Sequence, residues 1–402
     1  MTLAHTRRVA RHAGVIAGLV LLAHDVNGQT AADLFDRETL QEIRLFINTR
    51  DLAQLRADPF AAGVHAADLQ WRDRRVRNVA VRSAGLASRS PNKLALLVEF
   101  DRYTSGQRFL GLRSLKLDNL YTDPSMLRER LAFALFERMG QPVPRESFGR
   151  LFINNEYEGL YSFVEPIDAD YLARVTGDSS RYLFEFHHVP PPFAGEFLGE
   201  APGAYKPRFE ARTHEQESDE ALYGPIRDLF REVNSPLDAG WRDRVEPYLE
   251  LAPFVTFVAI EVFTAEVDGL TGTAGMANFY LDRPVGTVRH RFLAWDRDTS
   301  AQQVDMPIFA LTGQNTIVNR ALGFADLRSL FLDVLAQCAR IATQDGWWEA
   351  EAVRAAALIS VAAHEDARKA FSNEALDQAT AFVVDFTRRR SAFVLQDVAR
   401  AR

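Results

Sequence analysis

The sequence predicts an α+β protein in which a β-rich first part is followed by a mainly helical second part. Strand-like apolar runs dominate residues 30–165, with one prominent helix among them. Helical periodicity dominates residues 166–402, most clearly at 253–266, 327–343 and 375–399. The chain has 402 residues, of which 47% are hydrophobic and 25% charged, so a folded protein with a large core is expected.

Charge and cysteine content exclude some classes of protein. The formal net charge of −7 argues against a general nucleic-acid binder, because such proteins carry a basic face. Cys338 is the only cysteine, so an intramolecular disulfide is impossible, and its apolar helical surroundings predict a buried thiol. Among 47 basic residues the lysines are Lys93, Lys116, Lys206 and Lys369. Each is therefore a candidate for a role that a guanidinium would fill poorly.

The beginning of the chain has the layout of a cleaved export signal. Arg7, Arg8 and Arg11 form a basic start, and the apolar run at 13–23 is too short to span a bilayer as a mature helix. Small residues follow near Gly28. We therefore expect a signal peptide at 1–28 and a mature protein that is secreted, periplasmic or at the cell surface, without a later transmembrane anchor. The alternative is an uncleaved membrane anchor or a buried helix.

The β-rich part carries a lysine on a strand and a glutamate on the helix that follows. Strands are predicted at 43–48, 78–85, 94–100, 115–117, 148–154 and 160–164, with a short helix at 51–57. Asp123 is a good N-cap, Pro124 suits the first helical position and Gly140 is a C-terminal stop. The helix between them is apolar on two faces, so Glu129 should be partly buried and should need a cation. Lys116 is the nearest candidate, and a surface arginine is the alternative.

Acidic and amide side chains follow the apolar segments of the second part. A core helix at 253–266 leads into Asp268, and Asn278 precedes a predicted hairpin. Asp296 and Asp298 come directly after the second strand and converge on one cation if the chain bends there. Mg²⁺ needs only one or two carboxylates beside phosphates and water. The alternative interpretation of this Asp-x-Asp is a solvated acidic loop.

These parts occur in the order found in a protein kinase. A strand lysine is followed by a helix glutamate, a hinge-like Glu165, an aspartate after a core helix, an asparagine and a second aspartate. Phosphoryl transfer asks little covalent chemistry of a protein. It needs positioning, metal ligands and a carboxylate that orients the attacking hydroxyl, and the sequence supplies each type once.

Four stretches of the sequence also resemble one known family. They are Leu115-Lys-Leu-Asp-Asn119 continuing through Gly140, Ile153-Asn-Asn-Glu-Tyr-Glu-Gly-Leu-Tyr161 with Glu165, Asn278-Phe-Tyr-Leu281 and Ala294-Trp-Asp-Arg-Asp298. In this order they resemble the spore coat protein H (CotH) kinase family over about residues 35–395. The resemblance implies an atypical protein-kinase-like two-lobed fold, with a mainly β N-lobe that carries one αC-like helix and a mainly helical C-lobe. It also implies a secreted-type kinase that binds ATP with Mg²⁺ or Mn²⁺ and phosphorylates Ser, Thr or other hydroxyls of proteins.

The resemblance also implies roles for individual residues. Asp268 matches the catalytic aspartate. The metal-binding candidates are Asn278, Asp296 and Asp298. The nucleotide-binding candidates are Lys116 with Glu129 as an ion pair, Lys93 as a competitor of Lys116, and Glu165 at the hinge. The predicted division is a signal peptide at 1–28, an N-lobe at 29–165 and a C-lobe at 166–402. Where the family turn usually has Asn-Gly, this chain has Asn154-Asn155, which tolerates the same left-handed turn.

Two other functions are compatible with the same residues. A catalytically weak or inactive kinase-fold protein would serve as a binding or surface-assembly module, and an export signal favours it because ATP is scarce outside the cytoplasm. A metal-dependent hydrolase would use the same acids, but it normally needs histidine ligands and His290 is the only one nearby in the sequence. The intact set of Asp268, Asn278 and Asp296 favours an active kinase with an extracytoplasmic protein substrate.

Overall fold

The computed structural model describes residues 28–402, so all but the last residue of the predicted export signal lies outside the described residues. Within the described part, no helix is long and apolar enough to cross a membrane. The chain is a mixed α+β protein, as predicted. It consists of a barrel, a separate four-stranded sheet and a set of long helices.

Seven strands near the amino terminus close into a barrel. They are β1 (Gln41–Ile47), β2 (His65–Trp71), β3 (Arg74–Ser83), β4 (Leu96–Glu99), β5 (Ser114–Asp118), β6 (Glu146–Ile153) and β7 (Glu156–Val164). Their order is β1-β2-β3-β4-β5-β7-β6, and the parallel pairing of β1 with β6 closes the barrel. The sequence predicted strands here but neither the closure nor β2, which contains no β-branched residue.

Three helices accompany the barrel: α1 (Ala31–Leu34), α2 (Thr49–Ala57) and α3 (Arg128–Arg138). The prediction that α3 begins at Pro124 is wrong by about one turn, because Met126 takes a left-handed conformation with φ of 60°. Asp123 still caps the helix, since its carboxylate accepts two backbone N–H groups at the helix start, each at 2.8 Å. Gly140 follows the helix end with φ of 74°, as expected for a stop signal.

The turn between β6 and β7 is shorter than predicted, because β7 begins at Glu156 and not at 160, which leaves only the two asparagines in the turn. Asn154 and Asn155 both take left-handed conformations, with φ of 51° and 67°. A tight hairpin needs such angles at both central positions, and asparagine tolerates them. Asn154 also bonds the backbone N–H and carbonyl of Ile47, each at 2.9 Å, so the turn is fastened to β1.

A second sheet lies in the part that was predicted to be mainly helical. Its strands are β8 (Tyr182–Phe186), β9 (Phe209–Ala211), β10 (Phe279–Arg283) and β11 (Arg291–Ala294), in the order β11-β10-β8-β9. The hairpin of β10 and β11 was predicted, whereas β8 and β9 are short strands on either side of a Pro/Gly-rich loop and were missed. All neighbouring strands of this sheet are antiparallel. The first residues of β10 therefore lie beside the last residues of β8 and β11, at one edge of the sheet where these strand ends meet.

The remaining helices form the bulk of the second part. They are α4 (Ala169–Thr176), α5 (Asp219–Val233), α6 (Trp241–Val245), α7 (Leu251–Phe263), α8 (Thr316–Ala321), α9 (Ala325–Thr343), α10 (Trp347–Glu365) and α11 (Asn373–Ala401). Asp168 caps α4, as predicted, by accepting two backbone N–H groups. The apolar α7 runs through the core against α9, which contains the buried Cys338. Burial raises the pKa of the Cys338 thiol, which fits a structural residue.

Candidate active site

The segment after α7 is held in a fixed shape by buried glutamates. Glu266 is buried, and its Oε1 atom accepts the backbone N–H groups of Val267 and Asp268, each at 2.9 Å. At Gly269, a Cβ atom would lie 2.7 Å from Oε1 of Glu261, so a larger residue does not fit there without a shift. Asp268 therefore lies on a turn whose backbone is held by Glu266 at Val267 and Asp268 and by the close approach of Glu261 at Gly269.

Asn278 joins this turn from the start of β10. Its side-chain amide donates to the backbone carbonyl of Asp268 at 2.9 Å and to the Asp268 carboxylate at 3.0 Å. Asn278 has a φ of 53°, a left-handed conformation that asparagine adopts more readily than most residues. The structure thus brings the predicted catalytic aspartate and the predicted metal-binding asparagine into direct contact.

The turn after β11 is held at the same place by a buried ion pair. Asp296 takes a φ of 52°, an uncommon angle that persists only where the surroundings fix the backbone. The next residue, Arg297, is fully buried, and its guanidinium lies 2.5 Å from Oε1 of Glu261. The other oxygen of Glu261 accepts the N–H of Leu270 at 3.1 Å. One glutamate of α7 therefore holds both the Asp268 loop and the Asp296 turn.

The carboxylates of this site are close enough to influence one another. Burial raises the pKa of Asp268, and the charge of Asp296 raises it further, while the Asn278 amide opposes the change. Burial also raises the pKa of Asp296, and Lys116 opposes that change. The pKa of Asp298 is raised first by burial and then by the charge of Asp296. A cation bound among these oxygens would favour their charged forms.

Lys116 lies at this site, but its ion pair is not the predicted one. Its Nζ atom is 2.9 Å from Oδ2 of Asp118 and 4.7 Å from the centre of the Trp295 ring. Glu129 is buried, as predicted, yet its Oε1 accepts the backbone N–H of Arg297 at 3.4 Å. Burial lowers the pKa of Lys116, but neighbouring carboxylates, Asp118 foremost, raise it above its usual value. Lys116 pairs with Asp118 in this structure because the two residues stand two positions apart on one strand and share a face. The role of Lys116 and Glu129 in binding nucleotide stays a prediction.

Lys93, the competing lysine, is bound elsewhere. It is 1% exposed, and its Nζ atom bonds the Asp366 carboxylate and the Leu160 carbonyl, each at 2.7 Å. Burial lowers the pKa of Lys93, and the charge of Asp366 opposes this. Asp366 is itself fully buried in the segment between α10 and α11. Lys93 therefore fastens the barrel to that segment, and Lys116 is the lysine that lies beside Asp296.

Glu165 is also occupied by partners of its own. Its carboxylate lies 2.7 Å from Arg145 and 2.5 Å from Arg174, and it accepts the backbone N–H of Arg145 at 3.0 Å. The residue is buried between the end of β7 and α4. Both carboxylate oxygens thus bind arginines, which argues for a structural role of this side chain at the predicted hinge.

The histidine named in the hydrolase hypothesis lies away from the acidic residues. His290 precedes β11, whereas Asp296 follows it, so the two stand at opposite ends of one strand. His290 is buried, and burial lowers its pKa to about 3. A buried neutral imidazole at the far end of the strand does not supply a ligand to the Asp296 site.

Sequence reasoning missed one group with ligand-like geometry on β8 and β9. Glu185, His187 and Glu210 hold donor atoms that all lie within 4.8 Å of one another. His187 bonds Glu210 at 2.7 Å, and Arg212 lies 3.1 Å from Glu210 and 3.7 Å from Glu185. The arginine, and the imidazole when protonated, already balance the two carboxylates. No sequence signal marked this group because neither strand was predicted.

Comparison with known proteins identifies similar chains. Residues 81–394 match the family described as CotH kinase protein. The chain is 22% identical over 307 residues to the inner spore coat protein H of Bacillus subtilis, covering 75% of this chain and 81% of that protein. It is 44% identical over 92 residues to the inner spore coat protein H-like protein of the same organism, covering 22% of this chain and 30% of that protein.

Among solved structures, the Helicobacter pylori proinflammatory kinase CtkA is similar over 80% of this chain and 95% of its own. The sequence identity is 10% and the TM-score is 0.31. A likeness of this size says nothing about the reaction of this chain.

Proposed function

The chain belongs to the CotH kinase protein family, and on that premise we propose that it is an ATP-dependent phosphotransferase acting on proteins. In this proposal the bond between the β- and γ-phosphates of ATP breaks, and a new P–O bond forms to a serine or threonine hydroxyl. ADP leaves with the bridging oxygen, and the hydroxyl proton passes to a carboxylate of the protein.

The observation that carries this proposal is the meeting of three predicted residues at one edge of the second sheet. Asp268 comes from the loop after α7, Asn278 from the start of β10 and Asp296 from the turn after β11. The Asn278 amide contacts the Asp268 carboxylate at 3.0 Å, and the charge of Asp296 acts on the pKa of Asp268. Phosphoryl transfer needs a carboxylate for the hydroxyl beside oxygen ligands for a metal, and this group contains both.

The donor atoms of the site fit a hard divalent cation. The side chains of Asn278, Asp296 and Asp298 would bind a metal through their amide and carboxylate oxygens, and such ligands suit Mg²⁺ or Mn²⁺. When bound, the metal would neutralise charge on the ATP phosphates. Asp268 would orient the attacking hydroxyl and accept its proton, because it is the carboxylate fixed by the neighbouring amide.

Lys116 is the proposed contact to the phosphates, with Glu129 behind it. In the structure Lys116 is held by Asp118 at 2.9 Å, so the ammonium must exchange that partner, or share it, when ATP binds. This pairing is also the observation that favours the second candidate function, a catalytically weak or inactive kinase-fold module for binding or surface assembly. The two candidates differ in whether phosphate is transferred, which is directly measurable.

We further propose that the protein acts outside the cytoplasm on a protein substrate. The basic start and apolar run at 13–23 support export, and two similar proteins are named as inner spore coat proteins. In this proposal residues 29–165 form the N-lobe and 166–402 the C-lobe, with the nucleotide between β5 and the β10–β11 edge. Family membership alone does not make the substrate a coat protein.

The decisive experiment is phosphate transfer from labelled ATP by the purified mature chain with Mg²⁺ or Mn²⁺. Wild type should label itself or an acceptor protein, and Asp296→Ala should not. The exposed Asp326, which pairs with Arg242 on the surface, provides a matched control, so Asp326→Ala should behave as wild type. An absence of transfer from wild type with both metals would favour the inactive module.

The roles of the two aspartates are separated by their effects on binding and rate. Asp268→Asn should keep near-normal Mg·ATP affinity and lose roughly 10²-fold or more in kcat, because a hydroxyl-orienting group matters most in the transition state. Asp296→Asn should lose metal-dependent nucleotide binding and turnover together. Measuring the dissociation constant of Mg·ATP for each variant tests these roles. If Asp268→Asn lost Mg·ATP binding while Asp296→Asn kept it, the roles assigned to the two aspartates would be reversed.

A further inference from the structure

A hydrogen bond from Thr122 joins the barrel part of the chain to the turn after β11. Thr122 lies between β5 and α3, and its hydroxyl donates to Oδ2 of Asp298. The two residues are 176 positions apart in the sequence, so the contact exists only in the folded protein. Asp298 is one of the side chains proposed to bind the catalytic metal, and Thr122 is its direct neighbour in space.

The carboxylate of Asp298 depends on this one hydrogen bond for its orientation. Among the described residues, no other side chain or backbone N–H group bonds it, and no cationic side chain lies at ion-pair distance. The adjacent Arg297 is not available, because its guanidinium is bound to Glu261. The direction in which the Asp298 side chain points is therefore set by Thr122.

The backbone on both sides of Thr122 is fixed, although the residue itself is exposed. Before it, the side chain of Asn119 is fully buried and donates to two backbone carbonyls of the loop between β3 and β4, at 2.8 and 2.7 Å. After it, the buried Asp123 caps α3 by accepting two backbone N–H groups, each at 2.8 Å. A hydroxyl on such a segment is held near one position, so it loses little conformational freedom when it bonds Asp298.

Carboxylates that bind metal ions depend on the hydrogen bonds that orient them. Mg²⁺ accepts its ligands only in a nearly ideal octahedral arrangement, at about 2.0–2.1 Å, so a carboxylate that rotates freely binds it less well. The hydroxyl of Thr122 occupies Oδ2 of Asp298, which leaves Oδ1 available to the metal. Loss of a partner of this kind typically lowers metal affinity about 10- to 100-fold.

We propose that Thr122 is a positioning residue of the metal site, which fixes Asp298 for a divalent cation that binds together with ATP. Thr122 acts through the carboxylate and contacts neither the metal nor the substrate in this role. The inference rests on the proposed function, because it takes Asp298 as a metal ligand. It follows that the site binds metal well only while the segment between β5 and α3 lies against the turn after β11.

The test compares the affinity for ATP with and without metal, by calorimetric titration of the mature chain in Mg²⁺ and in EDTA. Thr122→Val replaces the hydroxyl with a methyl group of similar size, and it should weaken Mg·ATP binding about 10-fold or more. Its affinity for ATP in EDTA should equal that of wild type, because the hydroxyl acts through a metal ligand. Thr122→Ser restores the hydroxyl and should recover the Mg·ATP affinity.

Thr39 provides a matched control. Its hydroxyl donates to Oδ2 of Asp36 at 2.5 Å, which is the same kind of hydrogen bond in the segment before β1. Neither residue is among the proposed ligands, so Thr39→Val should keep the wild-type affinity for Mg·ATP. Without ligands, the two valine variants should have similar melting temperatures, which separates the effect at Thr122 from a general loss of stability. If Thr122→Val does not fold, Thr122→Ala removes the same hydroxyl and should show the same loss of Mg·ATP affinity.

The outcomes separate this role from the transferase proposal. Thr122→Val that binds Mg·ATP as wild type does, or more tightly, overturns the positioning role and leaves the transferase intact. A loss of affinity that is equally large in EDTA also overturns it, because Thr122 would then act without the metal. Wild type that binds ATP no better with Mg²⁺ than in EDTA rejects the metal site and this role together. Wild type whose Mg·ATP affinity depends on Thr122, but which transfers no phosphate, upholds the positioning role and favours the inactive module.

Discussion

Replacing Lys93 with methionine should destabilise the protein while leaving nucleotide affinity unchanged, whereas the same change at Lys116 should weaken nucleotide binding. The two lysines compete for one role in the sequence, but their surroundings differ. Lys93 is enclosed with Asp366, and both are buried. Lys116 lies beside Asp118 and close to Asp296, where the phosphates of ATP are proposed to bind.

The size of the Lys93 effect follows from its partner. Removing one member of a buried ion pair costs about 3–5 kcal/mol, because the other charge is left unpaired. Asp366 would keep only hydrogen bonds from the backbone N–H groups of Leu160 and Arg368, at 3.1 and 2.9 Å. For a chain of this length that unfolds as one unit, the loss lowers Tm by roughly 4–6 °C. At Lys116, a lost charged hydrogen bond of about 1.5–3 kcal/mol weakens Mg·ATP binding roughly 10- to 100-fold.

Thermal unfolding and Mg·ATP titration of three variants test this. Lys206→Met serves as the control, because Lys206 is a surface lysine paired with the exposed Asp219 and should show neither effect. Lys93→Met should have a lower Tm than wild type and an unchanged Kd for Mg·ATP. Lys116→Met should bind Mg·ATP more weakly than wild type. A Lys93→Met protein that melts like wild type but no longer binds Mg·ATP would refute the assignment and return the nucleotide role to Lys93.

Two further predictions concern regions away from the site. Hydrogen bonding to Glu210 raises the pKa of His187 above its usual 6.5, so the pair stabilises the fold below pH 6.5 and loses that contribution as pH rises through the raised value. An NMR titration should place the His187 midpoint above 6.5 and lower it in Glu210→Gln; an unchanged midpoint would contradict the pairing. At the amino terminus, sequencing of the exported chain should find cleavage close to Gly28, and a protein that still begins at Met1 would disprove the signal.

Local features were predictable because they depend on short stretches of chain. The Asn154-Asn155 turn, the Asp168 cap and the Gly140 stop are set by backbone preferences of one or two residues. The error at the start of α3 shows the limit of such rules. Pro124 is a good first helical residue, but the left-handed Met126 delays the helix, and Asp123 reaches forward to cap it.

The candidate site was predictable in its residue types and order, but not in its contacts. The sequence indicated that Asp268 follows a core helix and that Asn278 precedes a hairpin, but the contact between the two side chains is known only from the structure. Glu261 accepts the backbone N–H of Leu270 and pairs with Arg297, and no sequence pattern predicted either interaction. A glutamate within an apolar helix indicates a buried acid but does not indicate its partners. No sequence pattern singled out Glu146 either, because this residue lines a cavity only when α3 packs near β6.

The mixed α+β class, the family, and the order of lysine, glutamate, aspartate and asparagine along the chain could all be read from the amino-acid sequence. These are carried by local propensity and by motifs, which are properties of neighbouring residues. The folded structure was needed to show that the strands close into a barrel through β1 and β6, that Lys93 pairs with Asp366, and that Lys116 pairs with Asp118. Each of those outcomes depends on a choice between partners, often distant in the chain, and burial and distance in the folded protein determine which partner is favoured.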